Sequence, residues 1–500
     1  MIKKYDIVII GSGLGGLLCA AILGKNGYSV CVIEKHNQIG GNIQTFKRKG
    51  CVFSAGMHFI GSMEKDQILY KILNYIDVAE KINVLKLDES CFERIFIKDE
   101  EYSYAMGMEN FKNNLISYFP EERVAIEKYT KKLDEIWDAI DILNLREISN
   151  DYSVQTESLT TNAYEFIESL TDNKRLKAII SATNALYAGV KSKTPLHVHA
   201  VINNFYIKSA WKLDEREVSF AKVLSDSVES FGGTIIKNTE ASGLEYDGEN
   251  IIAAKTKNGD LIYGDTFISN IHPKTTIEIA GKDRFRKVFI NRINEIENTI
   301  SSFGMYIVMK KNTFKHIESD IYYFSDYDVW GTDSYDSEIW PKGFVLYSTP
   351  DINNDEYSES ITIITYMKYD DVKKWENTYI EKRGADYLEF KRNHAEKLLD
   401  VVEQNKLKIR DCIDTYYTST PLTYRDYTGI PGGALYGTQK DCNNHLNSFL
   451  TAKTKIPNLL LTGQNVQMHG ILGVAVCALQ TCSNIIDYNT LVKDIRNEQA

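Results

Sequence analysis

A glycine-rich turn directly after a short apolar run constrains this chain more than any other feature. Residues 5–10 (Tyr-Asp-Ile-Val-Ile-Ile) are rich in β-branched side chains and predict a buried strand. The turn that follows consists of Gly11, Ser12, Gly13, Leu14, Gly15 and Gly16. Residues 17–25 then predict a helix, and residues 29–33 predict a second buried strand. The segment therefore predicts one strand–helix–strand unit of a parallel sheet.

Three of these glycines have the spacing of a dinucleotide-binding turn. Gly11 permits the tight turn, Gly13 lets the backbone approach a pyrophosphate, and Gly16 lets the helix pack closely on the strand. The N-terminus of the helix attracts phosphate charge. Glu34 ends the second strand, where a carboxylate accepts hydrogen bonds from ribose hydroxyls. The unit therefore predicts a bound dinucleotide.

The residues after Glu34 favour FAD over NAD. Lys35 follows the acid directly, and Gly40, Gly41 and Asn42 come soon after it. NAD binding does not need this second pair of glycines. The pair is similar to the second part of the FAD fingerprint in glutathione-reductase-like and amine-oxidase-like flavoproteins, where it lies near the FAD phosphates. We therefore expect FAD as the cofactor.

Composition limits the partners and the location of the protein. The net charge of −10 argues against nucleic acid as the main partner. The chain has no run of about 20 apolar residues and no visible secretory signal, which predicts a cytoplasmic protein without a spanning helix. Contact with a membrane surface and the oligomeric state stay open. His197 and His199, interpreted as a pair on a strand, have no third ligand nearby, so we expect no metal site.

Secondary-structure signals change along the chain. Residues 64–205 predict mainly helices, and residues 220–230 predict a further helix. The segment from 234 to 269 predicts short strands, among which 261–262 and 266–269 are separate strands.

The second half of the chain predicts another sheet. Residues 300–370 alternate aromatic and polar side chains, which indicates an antiparallel sheet, and residues 472–486 predict a late helix. We expect an α/β fold of mixed α+β character, in which a Rossmann-like FAD-binding domain is interleaved with a substrate-binding domain of antiparallel sheet plus helices. The expected FAD-binding domain comprises residues 1–75, 206–275 and 430–500, and the expected substrate-binding domain comprises residues 76–205 and 276–429.

Motifs at both ends of the chain resemble one family of flavoproteins. In order and spacing they are similar to the all-trans-retinol saturases, which belong with the carotenoid isomerases and phytoene desaturases. The similar segments are residues 32–36, 40–41, 45–46 and 56–61 near the N-terminus, and residues 420–423, 433–437, 456–464 and 470–474 near the C-terminus. Between residues 80 and 420 the chain is similar to this family in the arrangement of its segments more than in its individual residues.

The resemblance implies an FAD-dependent oxidoreductase that acts on CH–CH bonds of an apolar conjugated substrate, such as a retinoid or carotenoid. It implies that residues 463–474 bring a helix N-terminus to the flavin ring, and it suggests a backbone contact from Ala241 to the adenine. The implied cofactor-binding residues outside the first unit are His58, Phe59, Ile60, Ala241, Asn270, Gly463, Gln464, Leu472, Gly473 and Val474.

The resemblance leaves three reactions open. In a saturase, reduced FAD gives a hydride to one carbon of a double bond and an acid or water protonates the other; a desaturase runs in reverse, and an isomerase makes no net redox change. His58 and His469 are the candidate catalytic residues, with a structural histidine as the alternative. Tyr424, Tyr427 and Tyr436 are candidates for lining a substrate pocket.

A saturase is the leading hypothesis, followed by an isomerase or desaturase and then a flavin amine oxidase. A non-enzyme alternative also resembles this fold, namely a prenyl-lipid-binding chaperone of the Rab GDP-dissociation-inhibitor kind. The C-terminal segment at Gly463 and Gln464 argues against it. No second glycine-rich unit for NAD(P)H is present, so the electron donor stays open among a transiently bound reduced nicotinamide, a partner reductase and a quinone.

Overall fold

The computed structural model describes residues 3–57, 59–149, 151–405 and 407–498. Its β-strands are, in chain order, β1 (Lys4–Ile10), β2 (Val30–Ile33), β3 (Thr45–Arg48), β4 (Cys51–Ser54), β5 (Phe59–Gly61), β6 (Val84–Lys86), β7 (Glu93–Ile97), β8 (Glu100–Tyr104), β9 (Ala210–Leu213), β10 (Thr234–Ile236), β11 (Ala241–Asp247), β12 (Asn250–Thr256), β13 (Leu261–Ser269), β14 (Ser301–Met309), β15 (Asp320–Phe324), β16 (Gly343–Asp351), β17 (Asn354–Met367), β18 (Ile413–Ser419) and β19 (Leu459–Leu461).

Its α-helices are α1 (Leu14–Lys25), α2 (Ile68–Tyr75), α3 (Met108–Tyr118), α4 (Arg123–Asp138), α5 (Ser153–Thr160), α6 (Ala163–Glu168), α7 (Lys174–Ile180), α8 (Leu196–Lys208), α9 (Phe220–Ser230), α10 (Pro273–Ala280), α11 (Lys287–Glu295), α12 (Ala385–Gln404), α13 (Pro421–Thr428), α14 (His445–Ser448), α15 (Gly470–Cys482) and α16 (Tyr488–Asn497). Within the described ranges, none of these helices is long and apolar enough to cross a lipid bilayer.

The first large sheet contains the predicted strand–helix–strand unit. Its strand order is β10-β2-β1-β13-β12-β11, and β19 pairs with β13. β1 runs parallel to both β2 and β13. Alternate residues of β1 pack on opposite sides of the sheet. Ile7 and Ile9 pack with α1, whereas Val8 and Ile10 belong to a separate core cluster, so both faces of the strand are buried. The mixed α/β class with a Rossmann-like unit is confirmed.

Three distant parts of the chain build this sheet. β1 and β2 come from the N-terminus, β10 to β13 from the middle and β19 from the C-terminus. Residues 261–262 and 266–269 were expected as separate strands, but they belong to the single strand β13, because its first residues pair with β12 while its later residues pair with β1 and β19. The division into two domains stays a prediction.

The second large sheet contains the strands predicted between residues 300 and 370. Its order is β18-β14-β17-β16-β15-β7-β8, and its pairs are antiparallel except for the parallel pair of β15 and β7. One face packs on α12, where Phe303, Met305 and Ile307 share a core cluster with Leu398 and Leu399. The opposite face carries the alternate residues of the same strands.

The expectation that residues 64–205 are mainly helical was wrong for one part of the segment. β6, β7 and β8 lie in this range, and β7 and β8 form a hairpin at the edge of the second sheet. Residues of β7 alternate between buried and partly exposed, as a half-buried strand requires. The hairpin turn contains Lys98 with a φ of 55°. Glycine is the usual sequence signal for this left-handed conformation, and it is absent from this turn.

Two further elements differ from the expectation, one in its type and one in its bounds. His197 and His199 lie on the helix α8 and not on a strand, and both are buried. Helix α15 begins at Gly470 and ends at Cys482, earlier at both ends than the predicted 472–486. Asp487 then caps α16 by accepting from the backbone N–H of Thr490.

Candidate functional site

A central cavity is lined by residues from both large sheets. It has a volume of about 2360 Å³, including the solvent at its mouth. Ile10 and Ile33, at the carboxyl ends of β1 and β2, lie at one end of its lining, and Val345 and Ile364 of β16 and β17 also line it. Ligands of open α/β sheets bind outside the carboxyl ends of the strands, which is where this cavity lies.

The glycine-rich turn brings the N-terminus of α1 to the cavity. Gly11, Gly13 and Gly15 line the cavity, and Gly13 is the N-cap residue of α1. Gly11 has a φ of +96°, which favours glycine. A Cβ atom at Gly16 would lie 2.2 Å from the Gly11 carbonyl oxygen, so only glycine permits the helix to approach the strand this closely. The exposed N–H groups of the first helical turn can therefore meet a phosphate.

Asn270 connects this turn to a second glycine turn near the C-terminus. Its Nδ2 donates to the Gly11 carbonyl oxygen at 3.3 Å. A Cβ atom at Gly463 would lie 2.4 Å from Asn270 Oδ1, and one at Gly15 would lie 2.7 Å from the same oxygen. The asparagine amide therefore fills the space between the two turns.

Ser12 and His36 hold the carboxylate of Glu34 by hydrogen bonds. Its Oε2 accepts from the Ser12 backbone N–H at 3.0 Å and from Ser12 Oγ at 2.7 Å, and its Oε1 accepts from the His36 N–H at 2.9 Å. The carboxylate lines the cavity. Each carboxylate oxygen can accept more than one hydrogen bond, so Glu34 can also accept from ribose hydroxyls.

Polar side chains near the second glycine turn have unused hydrogen-bonding capacity. Asn42 Nδ2 donates to Gln464 Oε1 at 3.3 Å and so joins the two segments. Gln464 Nε2 and Asn465 Oδ1 are buried and have no hydrogen-bond partner among the described residues. Both residues line the cavity. Buried polar atoms are normally satisfied, so these two fit a polar ligand between them.

His272 shows a fixed tautomer at the same end of the cavity. Its Nδ1 accepts from the Lys274 backbone N–H at 3.2 Å, so its Nε2 carries the hydrogen that faces Asn298 Oδ1 at 3.0 Å. Burial lowers the pKa of His272 to about 4. The histidine is therefore neutral at physiological pH and serves as a structural cap for α10.

Most of the residues expected to bind the cofactor come together around the cavity. Those that line it are Gly11, Gly13, Leu14, Gly15, Glu34, Lys35, Gly40, Gly41, Asn42, Phe59, Ala241, Asn270, Gly463, Gln464 and Val474. Those outside its lining are Ser12, Gly16, Ile60, Leu472 and Gly473, and the catalytic candidate His469 also lies outside it. His58 lies outside the described residues, so its predicted role stays a prediction.

His469 lies behind the cavity wall. Its ring centroid is 4.9 Å from that of Tyr436, a residue that does line the cavity. Neither ring nitrogen has a hydrogen-bond partner in the part of the chain that the structure describes. Burial, assisted by the charge of Lys440, lowers the pKa of His469 to about 3. The imidazole is therefore neutral at physiological pH, which gives no support to a role as general acid; that role stays a prediction.

The apolar part of the cavity lining that belongs to the second sheet, called the cavity floor below, was not predicted from the sequence. Phe324, Val345, Ile364 and Tyr366 lie on the face of the second sheet opposite α12, and Tyr206 of α8 also lines the cavity. Alternation along the strands indicates two faces but does not tell which face meets a ligand. The three candidates Tyr424, Tyr427 and Tyr436 also line the cavity.

The cavity therefore has a polar end at the glycine turns and an apolar, aromatic end on the second sheet. The polar end can hold phosphates, ribose and a polar ring. The apolar end can hold an extended hydrocarbon. Within the described ranges, no group of three or more histidine, cysteine or acidic side chains is arranged to hold a metal ion.

The chain is similar over most of its length to named enzymes. The all-trans-retinol 13,14-reductase of Danio rerio is 23% identical over 540 residues, covering 97% of this chain and 86% of the relative. That of Homo sapiens is 25% identical over 543 residues, covering 99% and 87%. Prolycopene isomerase 2, chloroplastic, from an Oncidium hybrid cultivar is 21% identical over 474 residues, covering 87% and 75%.

A family described as NAD(P)-binding Rossmann-like domain matches residues 9–76. The polar end of the cavity, which these residues help to build, is therefore a site for a dinucleotide or flavin type of cofactor.

Solved structures share the fold at low identity. An oxidoreductase from Methanosarcina mazei has a TM-score of 0.65 at 14% identity and covers 95% of this chain and 99% of its own. Wild-type putrescine oxidase bound to putrescine has a TM-score of 0.64 at 13% identity, with 97% and 100% covered. A Rab GDI from Plasmodium falciparum has a TM-score of 0.55 at 11% identity, with 97% and 99% covered. At these identities the likeness is one of fold.

Proposed function

We propose that this chain, a retinol saturase-like member of the carotenoid isomerase and phytoene desaturase flavoprotein family, saturates a double bond of an apolar conjugated substrate with FAD as its cofactor. The resemblance to that family predicted from the sequence is confirmed by the relatives. The chain is an enzyme of the oxidoreductase type, as its relatives are. The retinoid-like substrate and the saturating direction come from the names of the most similar relatives.

One observation supports the proposal most strongly. A single cavity joins the glycine turns at Gly11 and Gly463 to an apolar floor made by Phe324, Val345 and Ile364. A cofactor ring at the polar end would meet an extended hydrocarbon at the apolar end without a barrier between them. Positioning the two reactants next to each other is what the protein contributes to flavin chemistry.

The residues present fit FAD. The first turn of α1 and Asn42 would hold the phosphates, Glu34 would hold a ribose, and Gln464 and Asn465 supply unused polar atoms for the flavin ring. When bound, FAD supplies two-electron hydride chemistry. The chain itself orients the two reactants and keeps water away from the reacting carbons.

The product mass tests the reaction. The purified protein is reduced under anaerobic conditions by NADH, NADPH or dithionite, and retinol and carotenoids are then added in turn. A saturase yields a product two hydrogens heavier and bleaches the polyene absorption. A product of unchanged mass with a new retention time would instead identify an isomerase, which the prolycopene isomerase relative makes the second candidate. A colourless protein that stays colourless after FAD is added would contradict any flavoenzyme and favour the lipid-binding alternative.

A pair of variants locates the substrate. Ile364→Trp places a large ring on the cavity floor, and Ile352→Trp places the same ring on an exposed turn, where Ile352 is 64% exposed. We expect Ile364→Trp to retain the flavin spectrum and lose turnover of long polyenes, while Ile352→Trp keeps both. Equal turnover in the two variants would place the substrate elsewhere.

A further inference from the structure

A pair of buried carboxyl groups lies at the start of two neighbouring strands of the cavity-forming sheet. Glu93 begins β7 and Asp320 begins β15, and the parallel register sets them directly opposite each other. Both residues are 0% exposed. Lys212 Nζ lies 3.3 Å from Asp320 Oδ1. The ammonium group of Lys212 is thus paired with Asp320, beside the buried Glu93.

The surroundings of Glu93 favour its protonated form. Burial, and then the charge of Asp320, raises the pKa of Glu93 well above its usual range, while a hydrogen bond from Tyr322 opposes this rise. The titratable groups that interact with Glu93 are Asp320 and Tyr322 of β15, Tyr104 of β8 and Tyr206 of α8, and Lys212 of β9 pairs with Asp320 beside it. Burial raises the pKa of Tyr104, Tyr206 and Tyr322, so these phenols keep their protons too.

The same sheet face leads from Glu93 to the cavity. Asp320, Tyr322 and Phe324 alternate along β15 and share one face, and Phe324 lines the cavity. Tyr322 also pairs with Val345 of β16, which lines the cavity as well. The buried acid Asp320, the phenol Tyr322 and the cavity-lining Phe324 therefore follow one another along β15.

Tyr206 is a phenol of the cavity lining that interacts electrostatically with this carboxyl pair. It lines the cavity, and its ring centroid is 4.3 Å from that of Phe59, which lines the cavity beside it. Glu93, Asp320 and Tyr322 all interact electrostatically with Tyr206. The hydroxyls of Tyr366 and Tyr436 instead donate to the backbone carbonyls of Asn184 and Ala185, at 3.5 and 3.0 Å.

We propose that Tyr206 donates the proton in the saturation reaction and that Glu93 is its proton reserve, connected through Tyr322. The inference rests on the proposed function. Saturation adds a hydride to one carbon of the double bond, supplied by a two-electron-reduced flavin, and a proton to the other carbon, which leaves the Tyr206 hydroxyl. The Tyr206 oxygen recovers a proton from Tyr322, which recovers one from Glu93, and solvent restores the Glu93 proton after product release.

Infrared spectroscopy of the purified protein tests the protonation of Glu93 without turnover. We expect a carboxylic acid carbonyl band at neutral pH that Glu93→Gln removes. Glu215→Gln is the matched control, because burial raises the pKa of Glu215 to about 7 and this residue does not line the cavity. Its substitution should affect a different band. A spectrum in which Glu93→Gln removes no acid band would overturn the proposal.

The rate of repeated turnover, with dithionite in excess to reduce the flavin after each cycle, tests the role of Glu93, because Glu93 restores the Tyr206 proton between cycles. With protein reduced by dithionite, we expect Glu93→Gln to slow saturation by about 100-fold, within the range for general acid catalysis, and to flatten the dependence of the rate on pH. Glu93→Asp should restore part of the rate, and Glu215→Gln should keep all of it. Tyr322→Phe preserves the ring and removes the relay hydroxyl, so it provides a second test with a similar expected loss.

The outcomes separate this inference from the proposed function. A wild-type protein that adds no hydrogen to any polyene contradicts the proposed function and the role of Glu93 with it. A wild-type saturase whose Glu93→Gln and Tyr322→Phe variants keep the wild-type rate and pH profile contradicts the role of Glu93 alone.

Discussion

The side chain of Asn270 lies so close to Gly463 that a Cβ atom at Gly463 would be 2.4 Å from Asn270 Oδ1. The same amide donates through Nδ2 to the Gly11 carbonyl oxygen at 3.3 Å. One side chain thus sets the distance between the turn that follows β1 and the turn that follows β19. The polar end of the cavity takes its shape from this contact.

Loss of the Asn270 donor should therefore weaken cofactor binding. Asn270→Asp keeps the shape of the side chain but replaces the donor with a negative charge beside Gly11 and the expected phosphates. We expect the dissociation constant for FAD, measured by fluorescence titration, to rise by at least about 10-fold, since hydrogen bonds in which one partner is charged or lost cost about 1–3 kcal/mol. Asn258→Asp, at an exposed turn, is the control and should bind FAD as the wild type does.

Glycine at position 16 should be required for stability. A Cβ atom there would lie 2.2 Å from a backbone oxygen, which cannot move without shifting β1. We expect Gly16→Ala to lower the free energy of unfolding, measured in urea, by about 1–3 kcal/mol or more. At Gly243 the nearest atoms to an added Cβ are 4.0 Å away, so Gly243→Ala serves as the control. Equal unfolding curves for the two variants would contradict the close approach of α1 to β1.

His469 should make the protein sensitive to acid. Its folded pKa of about 3 lies below the unfolded value of about 6.5, so the unfolded chain binds the extra proton first. Wild-type stability should therefore fall as pH decreases from about 6.5 towards 3. His469→Phe removes the contribution of His469 to this dependence, while the buried His199 and His272, whose pKa values are also lowered, keep theirs. It also removes two unsatisfied nitrogens, and should raise the free energy of unfolding at pH 7 by about 1–3 kcal/mol.

The same variant also examines the catalytic role predicted for His469. Turnover that disappears in His469→Phe while the flavin spectrum stays normal would support that role. Destabilisation of the variant at pH 7 would contradict the unsatisfied environment described for the ring.

Lys440 should make the stability of the protein depend on pH in the alkaline range. Its Nζ donates to Thr438 Oγ1 at 3.1 Å and to the Ser448 carbonyl oxygen at 2.9 Å, and burial lowers its pKa to about 7. Because the unfolded value is about 10.4, wild-type stability should rise between pH 7 and about 10. Lys440→Met should show a smaller rise, measured by thermal unfolding across that range, because burial also lowers the pKa of Lys391 to about 8. Parallel pH profiles for the two proteins would show that Lys440 titrates normally.

Local signals in the sequence were sufficient for the polar end of the site. The order strand, glycine turn, helix and Glu34 fixes the first unit, because each part has a backbone requirement that few residues meet. The helix predicted over residues 220–230 has the bounds of α9. These features depend on neighbours in the sequence.

The apolar end depends on contacts that the sequence does not show. Tyr206 is one of 31 tyrosines, and nothing in its local sequence separates it from the others. Val345 and Phe344 are adjacent in β16, yet which side of the sheet packs on α12 is decided by the whole fold. The hairpin of β7 and β8 was missed because its turn at Lys98 lacks the usual glycine.

The late entry of β19 into the first sheet has a consequence for how the protein is made in the cell. A ribosome synthesises β1, β2 and β13 long before it reaches residues 459–464, so the nascent chain presents an unpaired strand edge until β19 has been made. Chains that stall or are clipped before this point would carry the Gly11 turn without the Gly463 turn. We therefore expect cofactor loading to require residues 459–464, and chains that lack them to be colourless and sensitive to protease.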